Sequence, residues 1–337
     1  MTEIRARQLN AFLKDAGWAA AEQAPLSGDA SFRRYIRLFL NGKKAMVMDA
    51  PPAHEDVRPY VLIDKHLRLL DFSAPEILFE DLANGFLLLE DFGDATFTNL
   101  LASGTDETAL YTLATDVLIT LHAINTPTTT PNWLPPYNDT RLQDEAALLL
   151  DWFMPAQGLA VSTKARADFE RIWLDLFAHA HSGPRTLVLR DYHVDNLMRL
   201  EARESVKASG LLDFQDALAG HPAYDLMSLL QDARRDIPAS LQAAMLERYR
   251  DAMNLAGATW DNFERAYTIL AAQRHAKVIG IFTRLDRRDA KPVYLKHIDR
   301  LWRLLEQALE HPALCDMRAW MESHIPAEKR HEPGRIS

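Results

Sequence analysis

Apolar and polar positions divide the chain into a strand-rich beginning and a helix-rich remainder. In the beginning, short apolar runs are separated by turn residues, a pattern typical of strands in a sheet. The predicted strands are Phe32–Leu40, Ala45–Asp49, Glu76–Phe79 and Phe86–Glu90. An Asn41-Gly42 pair between the first two indicates a tight hairpin. Helical patterns over 3–16 and 55–70 add two helices, so residues 1–93 are expected to form a small α+β lobe.

Beyond residue 93 the apolar positions recur mainly at helical spacing. Helices predicted in this part include residues 223–234, 239–254, 261–284 and 293–310. A short strand, Thr186–Leu189, and an apolar segment that ends at Leu212 interrupt the helices. We therefore expect an α+β fold of two lobes, with an antiparallel sheet in the small N-terminal lobe. The larger, mainly helical lobe covers residues 94–325, and a polar tail covers 326–337.

Composition narrows the class of protein. The 337 residues are 48% hydrophobic and 25% charged, which is typical of a globular chain large enough for two lobes. The net charge of −9, without a basic stripe, argues against a nucleic-acid partner. Cys315 is the single cysteine, which excludes an internal disulfide framework. Since neither a signal peptide nor a membrane span is evident, we expect a cytoplasmic monomer without membrane contact.

Three polar residues have the spacing of a kinase catalytic loop and the metal-binding strand that follows it. Asp191 follows the strand Thr186–Leu189, Asn196 comes shortly after it, and Asp213 ends the later apolar segment. In kinases such an aspartate accepts a hydrogen bond from the attacking hydroxyl, while the other two residues hold Mg²⁺ against the phosphates. We predict a bilobal, protein-kinase-like phosphotransferase that uses ATP and Mg²⁺. Asp191 is the predicted base, and Asn196 and Asp213 are the predicted metal ligands.

The triplet Asp91-Phe92-Gly93 spells the metal-binding triplet of protein kinases but lies far upstream of Asp191. It directly follows the strand Phe86–Glu90, which is where a kinase has the hinge between its lobes. We therefore expect backbone groups near Glu90, Asp91 and Phe92 to meet adenine. The counterpart of the kinase triplet is Asp213-Phe214-Gln215, which lacks the glycine.

The segment expected to cover the nucleotide phosphates is also unusual, because it has one glycine and no glycine-rich motif. Its candidate nucleotide contacts are Ser27, Gly28, Ser31 and Arg33. The next strand, which usually supplies a phosphate-binding lysine, carries Met48 where the lysine is expected. Arg33, Arg34 or Lys44 could replace this lysine, although such residues are more often solvated strand residues.

Several segments together resemble the aminoglycoside phosphotransferase-like kinase superfamily. These segments are Asp191–Leu197, Leu212–Ala217 and Gly220–Leu226. Within the superfamily the chain is most similar to the N-acetylmuramate/N-acetylglucosamine kinases of bacterial cell-wall recycling. The segments shared with that group are Asp29–Tyr35, Val47–Pro52, Leu87–Gly93 and Gln273–Gly280. The chain departs from the superfamily pattern at Leu189, where many relatives have His, and at Met48.

The resemblance implies transfer of the γ-phosphate of ATP to the anomeric hydroxyl of an amino sugar, which gives the α-1-phosphate. Such a product would allow recycled sugar to re-enter peptidoglycan precursor synthesis. The resemblance also carries over the roles of Asp191 as base and of Asn196 and Asp213 as metal ligands. An anomeric hydroxyl is more acidic than other sugar hydroxyls, so an ordinary carboxylate is an adequate base.

The residues that would contact the sugar are less well specified. Candidates are His193, Gln273, Arg274, Glu145 and Trp152. Three of them have a second interpretation: His193 could bond to loop backbone, Arg274 could pair with an acid, and Trp152 could pack in the core. Arg274 would suit the lactyl carboxylate of N-acetylmuramate. Asp225, after a proline at a helix start, could be a simple helix-terminal acid or could support the catalytic loop.

Two other functions remain open at this point. One is a kinase of aminoglycosides or other small alcohols, because the negative net charge could suit a cationic acceptor. The other is a nucleotide-binding regulator without turnover, which the missing lysine and sparse glycines would allow. The presence of Asp191, Asn196 and Asp213 argues against the regulator.

Overall fold

The computed structural model describes residues 3–26 and 32–334 of the chain. Its strands are β1 (Glu22–Pro25), β2 (Arg34–Leu40), β3 (Lys43–Asp49), β4 (Ile77–Asp81), β5 (Phe86–Leu89), β6 (Thr186–Val188), β7 (Leu197–Arg199), β8 (Ser209–Leu211) and β9 (Leu218–Gly220). Its helices are α1 (Glu3–Asp15), α2 (Arg58–Leu69), α3 (Phe97–Ala102), α4 (Glu107–Ala123), α5 (Thr126–Thr129), α6 (Asp139–Ala146), α7 (Met154–Ala156), α8 (Thr163–Ala180), α9 (Ala223–Leu230), α10 (Ala239–Ala252), α11 (Ala258–Asp289), α12 (Ile298–Leu309) and α13 (Cys315–His324).

The chain forms two compact units. The first contains Met1–Val117 and Val194–Ala217, and the second contains Leu118–His193 and Leu218–Ser337. The first unit therefore extends past residue 93, the predicted lobe boundary, and takes in the later hairpin β7–β8. Among the described residues, no helix is both long and apolar enough to cross a membrane.

An antiparallel sheet of strand order β1-β2-β3-β5-β4 dominates the first unit. As predicted, Asn41 and Gly42 join β2 to β3, and their positive φ angles of 50° and 75° are those of a tight hairpin turn. The sheet and the mainly helical remainder confirm the predicted α+β class. Sequence reasoning missed β1, because Glu22–Pro25 has no apolar alternation and is a strand only through its pairing with β2.

Helix α1 covers one face of this sheet. The apolar core between them consists of Leu9, Phe12, Leu13, Ile36, Leu38, Ala45, Val47, Phe86 and Leu88. Arg5 of α1 donates its Nε–H to Asp49 at 2.8 Å and lies over the Phe86 ring at 3.7 Å from its centroid. Because side chains alternate between the faces of a strand, Tyr35 and Met48 lie on the opposite face.

Helix α11 is the central helix of the second unit, and α6, α8, α9 and α12 pack around it. A π-helical turn, Leu149–Phe153, also packs against α11. The contact is so close that a Cβ on Gly280 would lie 2.3 Å from the carbonyl carbon of Leu148. Glycine is therefore required at this crossing.

The described part of the polar tail packs against other segments of the second unit, to which it belongs. The Gln157 side chain donates to the carbonyl of His331 at 2.7 Å, and Glu332 N–H donates to Asp299 at 2.7 Å. Arg330 lies over the Trp302 ring and pairs with Glu306 at 3.0 Å.

Candidate active site

The predicted metal ligands lie at one end of the hairpin β7–β8 in the first unit. Leu212 N–H donates to the Asn196 carbonyl at 3.0 Å, which extends the β7–β8 ladder up to Asp213. Asp213 has a positive φ of 57°, a conformation that asparagine and aspartate tolerate better than most residues. Phe214 anchors the turn, because its buried ring stacks on Tyr60 at a centroid distance of 4.8 Å. The fold therefore brings Asn196 and Asp213 together and fixes their backbone.

The donor set at this hairpin end fits Mg²⁺. An amide oxygen and a carboxylate oxygen are the hard ligands that Mg²⁺ takes in small numbers beside phosphate and water. The Asp213 side chain is 43% exposed, which leaves it accessible to an ion.

Arg33 lies beside Asp213. Its Nη1 is 3.6 Å from Asp213 Oδ1, and its Nε is 3.8 Å from Glu55 Oε2. The same guanidinium acts on Tyr35: burial raises the pKa of Tyr35 to about 12, and the nearby Arg33 opposes this rise. Burial lowers the pKa of Arg33, but the neighbouring Tyr35, Asp213 and Glu55 more than compensate and raise it. The other predicted residues of this segment, Ser27, Gly28 and Ser31, lie outside the described residues.

The expected hinge residues are tied to the first unit by their side chains. Arg37 of β2 forms an ion pair with Asp91 at 2.6 Å, and Asp91 also accepts from Gly93 N–H at 2.9 Å. Glu90 pairs with Arg203, and its N–H donates to the Glu76 carbonyl at 2.8 Å. Asp91-Phe92-Gly93 is thus a turn that is held to β2.

The ring of Phe92, in the same turn, lies against Gly210 of strand β8. The approach is so close that a Cβ at position 210 would lie 2.7 Å from the ring.

In the second unit, Asp191 follows a strained residue. Arg190 has a positive φ of 71°, which costs free energy for a residue other than glycine. The buried carboxylate of Asp225 accepts from Leu189 N–H at 2.6 Å and from Arg190 N–H at 2.9 Å. These two bonds hold the backbone directly before Asp191. Burial is the main cause that raises the pKa of Asp225 to about 7, although the two backbone bonds oppose it.

Glu145 is the hub of a polar network in the same unit. It forms ion pairs with Arg190 and, at 3.0 Å, with Lys277. It also accepts from the Tyr137 hydroxyl and, at 3.4 Å, from Gln273. Burial raises the pKa of Glu145, but Lys277 and Arg190 outweigh this and lower it. The many protein partners of Glu145 suit a residue that positions its neighbours.

Several basic side chains determine the charge state of Asp191. Burial alone would raise its pKa, but Lys277, His193, Arg274 and Arg190 together lower it. Asp191 is consequently an ionised carboxylate at neutral pH. It can accept a hydrogen bond from a hydroxyl, and it will take the proton only late in the reaction.

Arg274 is nearly fully buried, with 3% of its surface exposed. Among the described residues its Nη1 has no hydrogen-bond partner. Its neighbour Gln273 is also buried and donates to the Leu142 carbonyl at 3.0 Å, while its Oε1 has no partner within the described chain. A buried guanidinium with an unused donor is costly, and an anionic ligand would satisfy it.

The other two sugar-site candidates have weaker geometric support. His193 is buried, and its Nε2 lies 3.5 Å from Arg234 Nη1. Trp152 is half-buried on the π-helical turn, a kind of turn that occurs frequently at functional sites.

Sequence reasoning missed Lys277. It lies four residues after Gln273, so both side chains fall on one face of α11. A polar pair at this spacing in a buried helix was the signal that could have revealed it. Lys277 is 7% exposed and contacts both Glu145 and the Tyr224 hydroxyl, the latter at 3.4 Å.

Comparison with known sequences gives a consistent result. The model of the phosphotransferase enzyme family matches residues 22–264. An N-acetylmuramate/N-acetylglucosamine kinase from Caulobacter vibrioides is 34% identical, over 95% of this chain and 96% of its own. The kinase of the same name from Pseudomonas aeruginosa is 37% identical, over 94% of this chain and 95% of its own.

Solved structures share the fold at much lower identity. A putative aminoglycoside phosphotransferase from Ralstonia eutropha superposes with a TM-score of 0.63 at 16% identity, covering 90% of this chain and 97% of its own. An ADP-bound aminoglycoside phosphotransferase superposes with a TM-score of 0.60 at 15% identity, covering 92% of this chain and 99% of its own. At these identities the likeness concerns the fold.

Proposed function

Because the chain belongs to the phosphotransferase enzyme family, we propose that it is an ATP-dependent kinase of N-acetylmuramate and N-acetylglucosamine. It transfers the γ-phosphate to the anomeric hydroxyl and yields the α-1-phosphate, in recycling of peptidoglycan sugars. The observation that carries this proposal is the set of relatives with that name, which are 33–37% identical over 83–95% of the chain.

Asp191 is the proposed base. The cations around it keep the carboxylate ionised, so it orients the anomeric hydroxyl through a hydrogen bond before any proton moves. Asp225 supports this role by holding the strained backbone at Leu189 and Arg190. Most of the rate then comes from positioning and charge neutralisation, as is general for phosphoryl transfer.

Asn196 and Asp213 would hold Mg²⁺, which supplies charge neutralisation of the phosphates when it is bound. Hydrogen bonding within the turn keeps Asp213 in place, because Gln215 donates to its Oδ1 at 3.0 Å. The backbone near Glu90, Asp91 and Phe92 is the proposed adenine contact, and the ion pair between Arg37 and Asp91 keeps this backbone in place.

The second unit would bind the sugar. We propose that Arg274 binds the lactyl carboxylate of N-acetylmuramate, because Arg274 is a buried cation with an unused donor. Gln273 would bond to a hydroxyl or to the acetamido group. Glu145 would act indirectly, by fixing Arg190 and Lys277, and Trp152 and His193 would line the sugar.

The charges of the second unit disfavour an aminoglycoside acceptor. Arg190, Arg274 and Lys277 all act electrostatically on Asp191. A polycationic antibiotic placed there would face three like charges. An uncharged or anionic sugar faces no such repulsion.

An acceptor panel with an ADP-release assay tests the proposal. The panel contains N-acetylmuramate, N-acetylglucosamine, an aminoglycoside, choline, and a no-acceptor control. We expect ADP release with the first two sugars and no more than the background rate with the others. Release with the aminoglycoside or choline alone would replace the proposed function. ATP binding without release in any arm would favour a non-catalytic regulator.

A further inference from the structure

A kinase-like chain without the usual strand lysine must neutralise the triphosphate in another way. Strand β3 carries Met48 at the position expected for that lysine, and this methionine is 1% exposed. A nucleotide triphosphate carries more negative charge than one Mg²⁺ neutralises, so a protein cation is expected beside it. The basic residues near β3 are Arg33, Arg34 and Lys44.

The register of the sheet excludes Arg34 as the cation that replaces the lysine. Arg34 pairs with Asp49, while Tyr35 pairs with Met48. Residues directly opposite on antiparallel strands share a face, so Arg34 lies on the face opposite to Met48. There it forms an ion pair with the fully buried Asp49, which Arg5 of α1 also binds. Arg34 is thus part of the contact between the sheet and α1.

The position of Lys44 along β3 excludes it as well. It lies opposite Phe39 next to the hairpin turn and is exposed, with Nζ 5.8 Å from the centroid of that ring. Lys44 is four residues before Met48, which is about 13 Å along an extended strand.

Arg33 has both the face and the position that the missing lysine would have. It lies two residues before Tyr35, which shares the face of Met48, and the two side chains act electrostatically on each other. Only 12% of the Arg33 side chain is exposed, and its Nη1 is 3.6 Å from Asp213 Oδ1. The guanidinium therefore lies next to a proposed Mg²⁺ ligand of the same unit.

We infer that Arg33 is the triphosphate-binding cation of this kinase, supplied by the segment that leads into β2 in place of a lysine on β3. The inference rests on the proposed function. A guanidinium has five N–H donors, so it can bind phosphate oxygens while it stays beside Asp213 and Glu55. A lysine at position 33 would keep the charge but lose the planar fork.

Calorimetric titration of the whole protein with ATP tests the inference, because it measures binding without turnover. The variants are Arg33→Gln and Arg33→Lys, with Lys44→Gln as the matched control that removes one cation from the hairpin that follows Arg33. With Mg²⁺ present, we expect Arg33→Gln to weaken ATP binding by roughly ten- to a hundredfold, the loss of a charge-assisted hydrogen bond. Arg33→Lys should recover part of this loss, and Lys44→Gln should stay within about twofold.

A second titration, in EDTA, separates direct contact from an effect through the metal ligand. If Arg33 touches the phosphates, Arg33→Gln also weakens binding of metal-free ATP. A loss that appears only with Mg²⁺ would show that Arg33 merely positions Asp213, and this would overturn the inference. So would unchanged affinity in both titrations, or an equal loss in Lys44→Gln.

Failure of this inference is distinguishable from failure of the proposed function. The titrations contain no sugar and report on nucleotide alone, whereas the acceptor panel reports on the wild-type reaction. The unfolding temperature without ligand serves as the fold control. Arg33→Gln must match the wild type, and a lower value assigns Arg33 to stability and overturns the inference.

Discussion

At the scale of single residues, the site is defined by charges that balance one another. Asp191 is half-buried, and four neighbouring side chains lower its pKa and keep it ionised. Glu145 has 12% of its side chain exposed and is held by Arg190 and Lys277. Removing one partner from such a network leaves a largely desolvated charge uncompensated, so each substitution should have a large and specific effect.

The Asp191→Asn variant separates chemistry from binding. The amide keeps the shape of the side chain, but it is a weaker acceptor for the hydroxyl and cannot take its proton. We expect turnover to fall by roughly a hundred- to ten-thousandfold, with affinity for Mg²⁺-ATP changed by less than about twofold. Asp213→Asn is the companion variant, and it should weaken Mg²⁺-ATP binding itself. Equal binding losses in the two variants would refute the division of roles.

Arg274→Met tests the assignment of the acceptor carboxylate. For N-acetylmuramate we expect kcat/KM to fall by roughly ten- to a hundredfold, because one charge-assisted hydrogen bond is lost. For N-acetylglucosamine, which has no lactyl group, kcat/KM should change by less than about threefold.

Arg284→Met is the matched control for that experiment, since it removes a half-buried arginine from the same helix α11. It should leave the ratio of the two sugars unchanged. If Arg274→Met reduces activity toward both sugars equally, Arg274 acts on the phosphoryl group or on Asp191 instead of on the carboxylate.

At the scale of elements, α11 carries the greatest share of the second unit's polar network. Gln273, Arg274 and Lys277 lie within little more than one turn of this helix, and all are buried. The crossing between α11 and the π-helical turn Leu149–Phe153 holds the helix in place.

Gly280→Ala should destabilise the protein through this crossing. In an open helix the change would stabilise by up to about 1 kcal/mol, because alanine is the better helix former. Here the new Cβ would lie 2.3 Å from the carbonyl carbon of Leu148, and a backbone atom cannot move aside by changing rotamer. Overpacking should win, and denaturant unfolding should show a net loss of about 1–3 kcal/mol. Gly334→Ala, where a Cβ would meet nothing within 4 Å, should leave stability unchanged.

Local patterns determined most elements, and long-range contacts determined the rest. The Asn41-Gly42 turn and the apolar runs on either side of it were readable, because hairpin turns have a strong local signature. Strand β1 and the π-helical turn could not be predicted. The strand depends on its pairing with β2, and the π-helical turn departs from the regular helical pattern.

The same distinction between local patterns and long-range contacts separates the site residues that were predicted from those that were missed. Asp191, Asn196 and Asp213 were found because their spacing has a chemical reason. Lys277 was missed because its role depends on Glu145, which lies far away in sequence. Arg33 could not be separated from Arg34 until the register placed the two on opposite faces of the sheet.

At the scale of the whole molecule, net charge and local charge have opposite signs. The chain has a net charge of −9, yet Arg33 in the first unit and Arg190, Arg274 and Lys277 in the second lie at the proposed substrate sites. Local fields act on the ligand more strongly than the distant net charge, which salt screens. This arrangement suits anionic substrates.

Asp64 of α2 should make the stability of the protein depend on pH. It is 1% exposed, and neither of its carboxylate oxygens has a hydrogen-bond partner among the described residues. Burial is the main cause that raises its pKa from 3.8 to about 7, with Arg68 and Lys65 opposing and Glu90 and Glu76 adding to the rise. The folded protein therefore holds this proton more tightly than the unfolded chain, and stability falls as pH rises between these two values.

Asp64→Asn should remove this part of the pH dependence. We expect the variant to gain on the order of 2 kcal/mol relative to wild type between about pH 4 and pH 8, measured as the free energy of unfolding. Taking the difference between the two proteins cancels the contribution of Asp225, whose pKa is also raised. Asp15→Asn, at an exposed position on α1, is the control and should show no such gain. A constant difference at all pH values would contradict the assignment.

Phosphorus NMR of the wild-type reaction tests the central claim most directly. The protein is incubated with Mg²⁺-ATP and either N-acetylmuramate or N-acetylglucosamine, and the position of the new phosphate is read from its coupling to sugar protons. The account predicts a phosphate on the anomeric carbon in the α configuration, with each sugar. A phosphate on another hydroxyl, or no sugar phosphate with either acceptor, would contradict it.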